Sequence, residues 1–503
     1  MSIGMGAALR NRWSVPWSGV PLLSPLAFRE GVIGAVRGGA RLCLLFGVPE
    51  AGEDTRLVAV LADDGAGRLG VLSTLVAHHY SALTPDCPQA HAFERELAEQ
   101  CGVVPEGHPW LKPLRRHPPD HLPPGRAPQP YDREAYPFSR VTGGQVHEVA
   151  VGPVHAGIIE PGHFRFQAHG EDVLFLEIML GYQHRGVERL LETLPPERAM
   201  LVAESIAGDS VIGHAEVFCA AMEALGRRQK SVRSQSLRAI GLELERLANH
   251  LGDLGALSGD IAFAPAAAYF GRMRGDCLNL LLELSGNRYG RGLVRPGGAG
   301  FDLTPALAAD FGRRLEILSQ DVDRIGNLFF ENESVLARLE GVGTISRAAC
   351  EEFGFVGPAA RACDLPRDVR HDHPYGAFRF MQIPVATAWA GDVAARALVR
   401  RIEVGRSLEF LREQIARLPD GRPPQEPAPL LPDEFVVALT EGWRGEIAHA
   451  VLTDGEGRIR RYKVKDPSFH NWSALALAMR GNQISDFPLC NKSFNLSYAG
   501  HDL

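Results

Sequence analysis

Paired cysteines are missing from this chain. Its eight cysteines stand at positions 43, 87, 101, 219, 277, 350, 363 and 490, and no two are closer than 13 residues. That spacing excludes a local CxxC metal or redox motif. So low a density fits a reducing compartment in which each thiol packs as a small apolar side chain. Long apolar runs are missing too. No stretch of about 18 uninterrupted apolar residues occurs, so no transmembrane helix is expected. The opening MSIGMGAALRNRW lacks the apolar core of a secretory signal. Nor does charge of one sign prevail: 53 Lys and Arg stand against 60 Asp and Glu, a net charge of −7. A nucleic-acid partner would want a basic face, so none is expected. There is no GxGxxG after a strand, no GxxxxGK[ST], no HExxH and no GxSxG. The glycine-rich Arg295–Gly300 (RPGGAG) lacks the lysine of a phosphate loop.

What is present is a chain of 503 residues, 45% of them hydrophobic, enough for more than one core and for roughly two to four domains. His117–Pro137 holds seven prolines and can be neither helix nor central strand. It reads as part of an extended linker, 117–146, after a small first domain, 1–116. In that domain Arg41–Phe46 and Thr55–Leu61 are apolar runs of strand length, while Gly70–His79 and Ala92–Gln100 look helical. The first domain is therefore expected to be α+β. Residues 147–503 read as a mainly α-helical domain, a helix bundle with small flanking β-sheets. Leu237–Gly259 places leucines and an isoleucine three or four apart, with Glu243, Glu245, Arg246, Asn249 and Asp253 on the other face. Pro305–Leu318 and Asp392–Leu411 have similar spacing. A second proline-rich stretch, Pro419–Pro432, precedes strand-like pieces at Glu434–Leu439 and Glu446–Leu452 and reads as an excursion within one domain.

Gly152–Phe166 (GPVHAGIIEPGHFRF), Gly181–Glu192 (GYQHRGVERLLE) and Arg480–Asp502 (RGNQISDFPLCNKSFNLSYAGHD) resemble the large subunit of membrane-bound nickel–iron hydrogenases and its relative, the 49-kDa-type subunit of respiratory complex I. The string ERLANH at 245–250 resembles the same family. Leu83–Pro109 resembles the 30-kDa-type subunit of complex I, through FERE at Phe93–Glu96 and GxxPxGHP at Gly102–Pro109. FERE by itself is an ordinary solvated helix face. The resemblance implies two CxxC pairs holding nickel and iron. Here the first falls on Ala207 and Ser210, the second on Ser497 and Gly500. Nickel–iron sites need soft thiolates, which none of these residues supplies. The chain also stops three residues past Gly500, leaving no tail for the protease that acts after nickel insertion. Both observations point away from an active hydrogenase. Stray Cys219 and Cys490 cannot replace four thiols.

The same resemblance assigns roles. Glu160 would stand beside the old metal position and pass protons, with His155 and His163 nearby. His184, Arg185 and Glu188 of GYxHRGxE would face the iron–sulfur cluster of an adjacent subunit, the bland reading being an i,i+3 ion pair between Arg185 and Glu188. Arg480 would lie over the pocket with Asp209, Glu160 or Asp486 as its anion. His214 would follow the first lost pair. Asp466–His470 (DPSFH) invites comparison with a hydrogenase ending but lies about 30 residues too early, and is set aside. The tyrosine that complex I offers to quinone aligns with Ala207 or Gly208, so quinone is an open acceptor without residue-level support. The expectation is a core subunit of a membrane-associated oxidoreductase complex related to energy-converting hydrogenase and NADH-quinone oxidoreductase. It would bind no cofactor directly. Its partners would be an iron–sulfur small subunit, a ferredoxin-like subunit and a membrane arm with antiporter-like subunits, met at the cytoplasmic face of the inner membrane. The alternative is a redox-inert scaffold of such a complex.

Overall fold

The computed structural model describes residues 6–126, 136–155, 157, 159–228, 230–421 and 428–503. Met1–Met5, part of each proline-rich stretch, and Ile158 of the Glu160 segment lie outside the described residues. The chain opens with β1 (Ala7–Leu9), β2 (Ser14–Pro16), α1 (Pro25–Arg37), β3 (Arg41–Pro49), β4 (Thr55–Asp63), β5 (Arg68–Val76) and α2 (His91–Cys101). Ser24 starts α1 by accepting from the Ala27 amide, with Pro25 at the first helical position. The antiparallel order β1–β5–β4–β3 buries β3 and β4 on both faces, which is why they read as unbroken apolar runs. Gly70–His79, expected to be helical, belongs largely to β5. Its apolar spacing suits either period. The turn after Asp63 returns the chain into register at Arg68, and the ladder with β4 then decides for strand.

Residues 107–126 carry no helix or strand, yet His117 and His121 are buried. This part of the expected linker is packed, not a free tether. The first domain does not stand apart either. β2 pairs with Glu434–Val436 of the last sheet, and Phe93–Glu96 of α2 is buried against the rest of the molecule rather than solvated.

The second region begins with β6 (Val146–Val151), β7 (His163–His169) and β8 (Asp172–Met179), an antiparallel sheet in the order β8–β7–β6. Helices α3 (Val187–Thr193), α4 (Val211–Leu225), α5 (Val232–Asp260), α6 (Ala264–Ser285), α7 (Pro305–Phe330) and α8 (Val393–Ala416) follow. Ser231, Thr304 and Asp392 cap α5, α7 and α8 by accepting a backbone N–H in the first turn. α5 is the central helix, packed on α6 and α8. Its polar face is not solvated: Glu243, Glu245, Arg246 and Asp253 are all buried and paired. A closing sheet, β9 (Glu434–Gly442), β10 (Gly445–Thr453) and β11 (Ile459–Lys465), leads into α9 (Ser468–Ala478) and the short α10 (Tyr498–Asp502). Among the described residues no helix is long and apolar enough to cross a membrane.

Candidate functional site

The loop before α4 and the last turn of the chain meet under Arg185. Its guanidinium donates to the carbonyls of Ser205 (2.7 Å), Ile206 (2.9 Å) and Ala499 (3.3 Å), so it ties together the two segments where the cysteine pairs were expected. Ala207 is fully buried there. Ser497 donates its N–H to Ser468 Oγ and accepts from the Gly500 amide through its own Oγ, both at 2.9 Å. Gly500 lies so close to Asp466 that a Cβ would stand 2.7 Å from the carboxyl carbon. These four positions do not fit a nickel–iron centre: they offer no thiolate, and the fourth has no room for a side chain.

The cation of this site is Arg444, which sequence reasoning missed. It stands in the two-residue turn of the β9–β10 hairpin, whose tip points inward, so that Trp443 and Arg444 are both buried. Arg444 grips Asp209 with two bonds, at 2.5 and 2.7 Å, and also donates to the Asn495 carbonyl. Trp443 Nε1 and Asn249 Nδ2 both donate to the Asp209 carbonyl at 2.9 Å. The only signal in the sequence was the WR pair between two strand-like runs. Glu160 completes the cluster, accepting from the Tyr498 amide at 3.3 Å. Burial, countered by Arg444 and reinforced by Asp209, lifts its carboxyl above the usual range. Arg480 is elsewhere. It is exposed after α9, its guanidinium 5.6 Å from the Phe175 ring centre, and pairs with none of Asp209, Glu160 or Asp486. Exposed there, it does not reach the pocket, where Arg444 stands instead.

His214 is fully buried and lies in a line of four side chains. Tyr462 Oη is 2.8 Å from His449 Nδ1, His449 Nε2 is 3.2 Å from His214 Nδ1, and His214 Nε2 is 3.1 Å from Asp466 Oδ2. Burial opposes ionisation of Asp466, but the bond from His214 and the nearby Arg444 outweigh it and hold the carboxyl below its usual value. Burial, then His214, push His449 well below the usual histidine range. Ionised Asp466 only accepts, so His214 donates to it from Nε2; with His214 neutral the other two bonds run toward Asp466, and with His214 protonated they run toward Tyr462. The four side chains form one hydrogen-bonded line that ends on Asp466, beneath Gly500. Asp466 belongs to the DPSFH segment set aside on sequence.

Other expected residues fall elsewhere. Glu188 faces inward, accepting from Arg461 (2.9 Å) and Lys463 (2.8 Å), so it makes neither a cluster-facing surface nor an i,i+3 pair with Arg185. His184 is half-buried, stacked on His117 with ring centres 4.0 Å apart. His155 and His163 bond the Gly162 and Gly152 carbonyls and brace their own turn. The Cys219 sulfur sits 3.7 Å from Met200 Sδ, and burial pushes the Cys490 thiol up to about 11.

Comparison with known proteins places the chain in a family. The family model for the respiratory-chain NADH dehydrogenase 49 Kd subunit matches residues 260–434 and 425–502. The carbon monoxide-induced hydrogenase of Rhodospirillum rubrum is 31% identical over 350 residues, 69% of this chain and 97% of that protein. An NADH-quinone oxidoreductase subunit from Dehalococcoides mccartyi is 30% identical, covering 67% of this chain and 92% of that one. Formate hydrogenlyase subunit 5 of Escherichia coli K12 is 29% identical over 84% of this chain and 77% of its own length. The chain belongs to this family, which joins the 49-kDa-type subunits of NADH dehydrogenases to the large subunits of membrane-bound hydrogenases. A chain of the membrane-bound sulfane sulfur reductase, an archaeal respiratory membrane complex, shares the fold, with a TM-score of 0.67 over 71% of this chain and 99% of that chain at 24% identity.

Proposed function

We propose that the chain is a core subunit of a membrane-associated oxidoreductase complex related to energy-converting hydrogenase and NADH-quinone oxidoreductase, and that it moves protons while holding no nickel–iron centre. Electrons would stay on an iron–sulfur small subunit and a ferredoxin-like subunit. A membrane arm with antiporter-like subunits, at the cytoplasmic face of the inner membrane, would use the coupled step. The observation that carries this reading is the hydrogen-bonded line Tyr462–His449–His214–Asp466, ending beside the cluster of Glu160, Arg444 and Asp209. A neutral imidazole that accepts on one nitrogen and donates from the other passes a proton without moving. Glu160, with its raised pKa and partial exposure, suits exchange with an acceptor or with water. Quinone is the acceptor to try first. The span matched by the formate hydrogenlyase subunit is too long to lie wholly after residue 146, so part of the N-terminal region is shared with that protein; we read that region as a fused 30-kDa-type domain.

The test uses the intact complex in mild detergent. Its nearest iron–sulfur cluster is reduced with a low-potential donor, short-chain quinone is added, and reoxidation is followed by electron paramagnetic resonance. Loss of a proton-transferring group costs about a hundredfold or more in rate, so Glu160→Gln and His214→Gln should slow reoxidation by that order. Variants that reoxidise as fast as the parent would remove the proton role. A parent cluster that stays reduced would remove quinone and favour a redox-inert scaffold.

A further inference from the structure

Where the irregular segment after residue 107 crosses the GYQHRG loop, three side chains converge that the site above does not use. His117, Asp120 and His184 each offer one ligand atom, and these atoms all lie within 4.8 Å of one another. We propose that they form a binding site for a divalent transition-metal ion of the zinc type.

The hydrogen bonds around the two rings prepare them for it. His117 Nδ1 is 2.7 Å from the Pro118 carbonyl, and His184 Nδ1 is 2.8 Å from the Asp502 carbonyl. A carbonyl only accepts, so each ring carries its proton on Nδ1 and presents the lone pair of Nε2. This is how metal-ligating histidines are oriented by backbone carbonyls. His117 Nε2 is buried without any hydrogen-bond partner, in a residue only 2% exposed. A buried acceptor left empty is the sign of a missing occupant.

The third ligand is equally braced. Asp120 Oδ1 is 2.7 Å from His121 Nδ1, whose other nitrogen is 3.0 Å from Glu192. His121 thus donates to two carboxylates. The second oxygen of Asp120 is left for an ion. Two neutral imidazoles and one carboxylate suit zinc or its first-row neighbours, whereas calcium and magnesium want oxygen alone. Asp120 and His184 are only half-buried, which supplies an entry path, and three protein ligands leave a position for water or for a partner's side chain. A bound ion would fasten the segment at 117–121 to the loop carrying Arg185, and through the Asp502 carbonyl to the end of α10.

The full-length chain, stripped with a chelator, is titrated with Zn2+ by calorimetry and then with Co2+, whose visible ligand-field bands report nitrogen and oxygen ligation. One ion per chain is expected, with a rise in melting temperature. Asp120→Asn and His184→Gln keep side-chain size and should weaken binding by at least the tenfold to hundredfold that loss of even an outer-shell partner costs. His169→Gln, at an exposed histidine whose ring bonds Gln145, should leave binding unchanged. Equal affinity in the parent, Asp120→Asn and His184→Gln, or no ligand-field bands from the parent, would overturn the site.

Discussion

At the tip of the β9–β10 hairpin one guanidinium serves several partners at once. Arg444 bonds both oxygens of Asp209 and the Asn495 carbonyl, and lies 3.9 Å from the Trp443 ring centre. Truncation in Arg444→Ala leaves Asp209 unpaired. Loss of one member of a buried pair costs about 3–5 kcal/mol, and because the Asp209 side chain is 33% exposed the expected loss is nearer about 2–3 kcal/mol. Arg480→Ala removes only an exposed contact with Phe175 and should change stability by less than about 0.5 kcal/mol. Urea unfolding of the two variants separates them; equal losses would show that Arg444 is not the anchor. The expectation for Arg480 rests on the resemblance of the string that it opens, Arg480–Asp502. Strings do not record which way a chain end points. The inward tip of the hairpin depends on Gly357, where a Cβ would stand 2.0 Å from the Arg444 carbonyl oxygen, a contact made 87 residues away in sequence.

Elements can invert the usual reading of charge. β11 carries Arg461, Lys463 and Lys465 at alternate positions, a pattern that on sequence alone describes a solvated strand face. All three are buried. Arg461 pairs with Glu188 and Glu192, Lys463 with Glu96 and Glu188, and Lys465 with Glu446. The acids come from α2, α3 and β10, so this one strand ties the N-terminal sheet and its helix to the second region. That is where FERE at 93–96 finds its use: Glu96 also takes Arg115. Lys463→Met takes one cation from two buried carboxylates that keep Arg115 and Arg461, and should cost about 2–3 kcal/mol, below the about 3–5 kcal/mol of a carboxylate left alone, while Glu96→Gln in the same background should recover part of it, a coupling of about 0.5–3 kcal/mol. A thermal-unfolding double-mutant cycle measures this. Additive losses would mean that the two residues do not act as one contact.

For the molecule as a whole, the long helices and the closing hairpin strands were legible because their apolar spacing is local, and the family was legible because its motifs survive in order. The site was half legible. Glu160, Asp209 and His214 could be placed beside the lost ligand positions, whereas Asp466, His449 and Tyr462 come from strands and turns whose approach is set by tertiary packing. Their charge states are equally non-local, as Glu245 illustrates. It sits on α5 at the N-terminus of α4, accepting the Ile212 and Gly213 amides at 2.7 and 3.1 Å, a placement that favours the carboxylate. Burial is the larger effect and, with Asp209 adding to it, lifts the carboxyl from 4.5 to about 8. The folded chain therefore holds a proton that the unfolded chain releases above its own, lower pKa. The stability this group contributes is fully present below about 4.5 and is lost as pH rises to about 8. One such proton is worth up to about 1.4 kcal/mol per pH unit inside that window. Glu245→Gln abolishes the titration, and its amide can accept only one of the two backbone bonds. The variant should start less stable than the parent at about pH 6 and converge on it toward about pH 8, as read from urea-unfolding free energies. Parallel stability curves would mean that Glu245 is ionised throughout, and that the two helix amides outweigh burial.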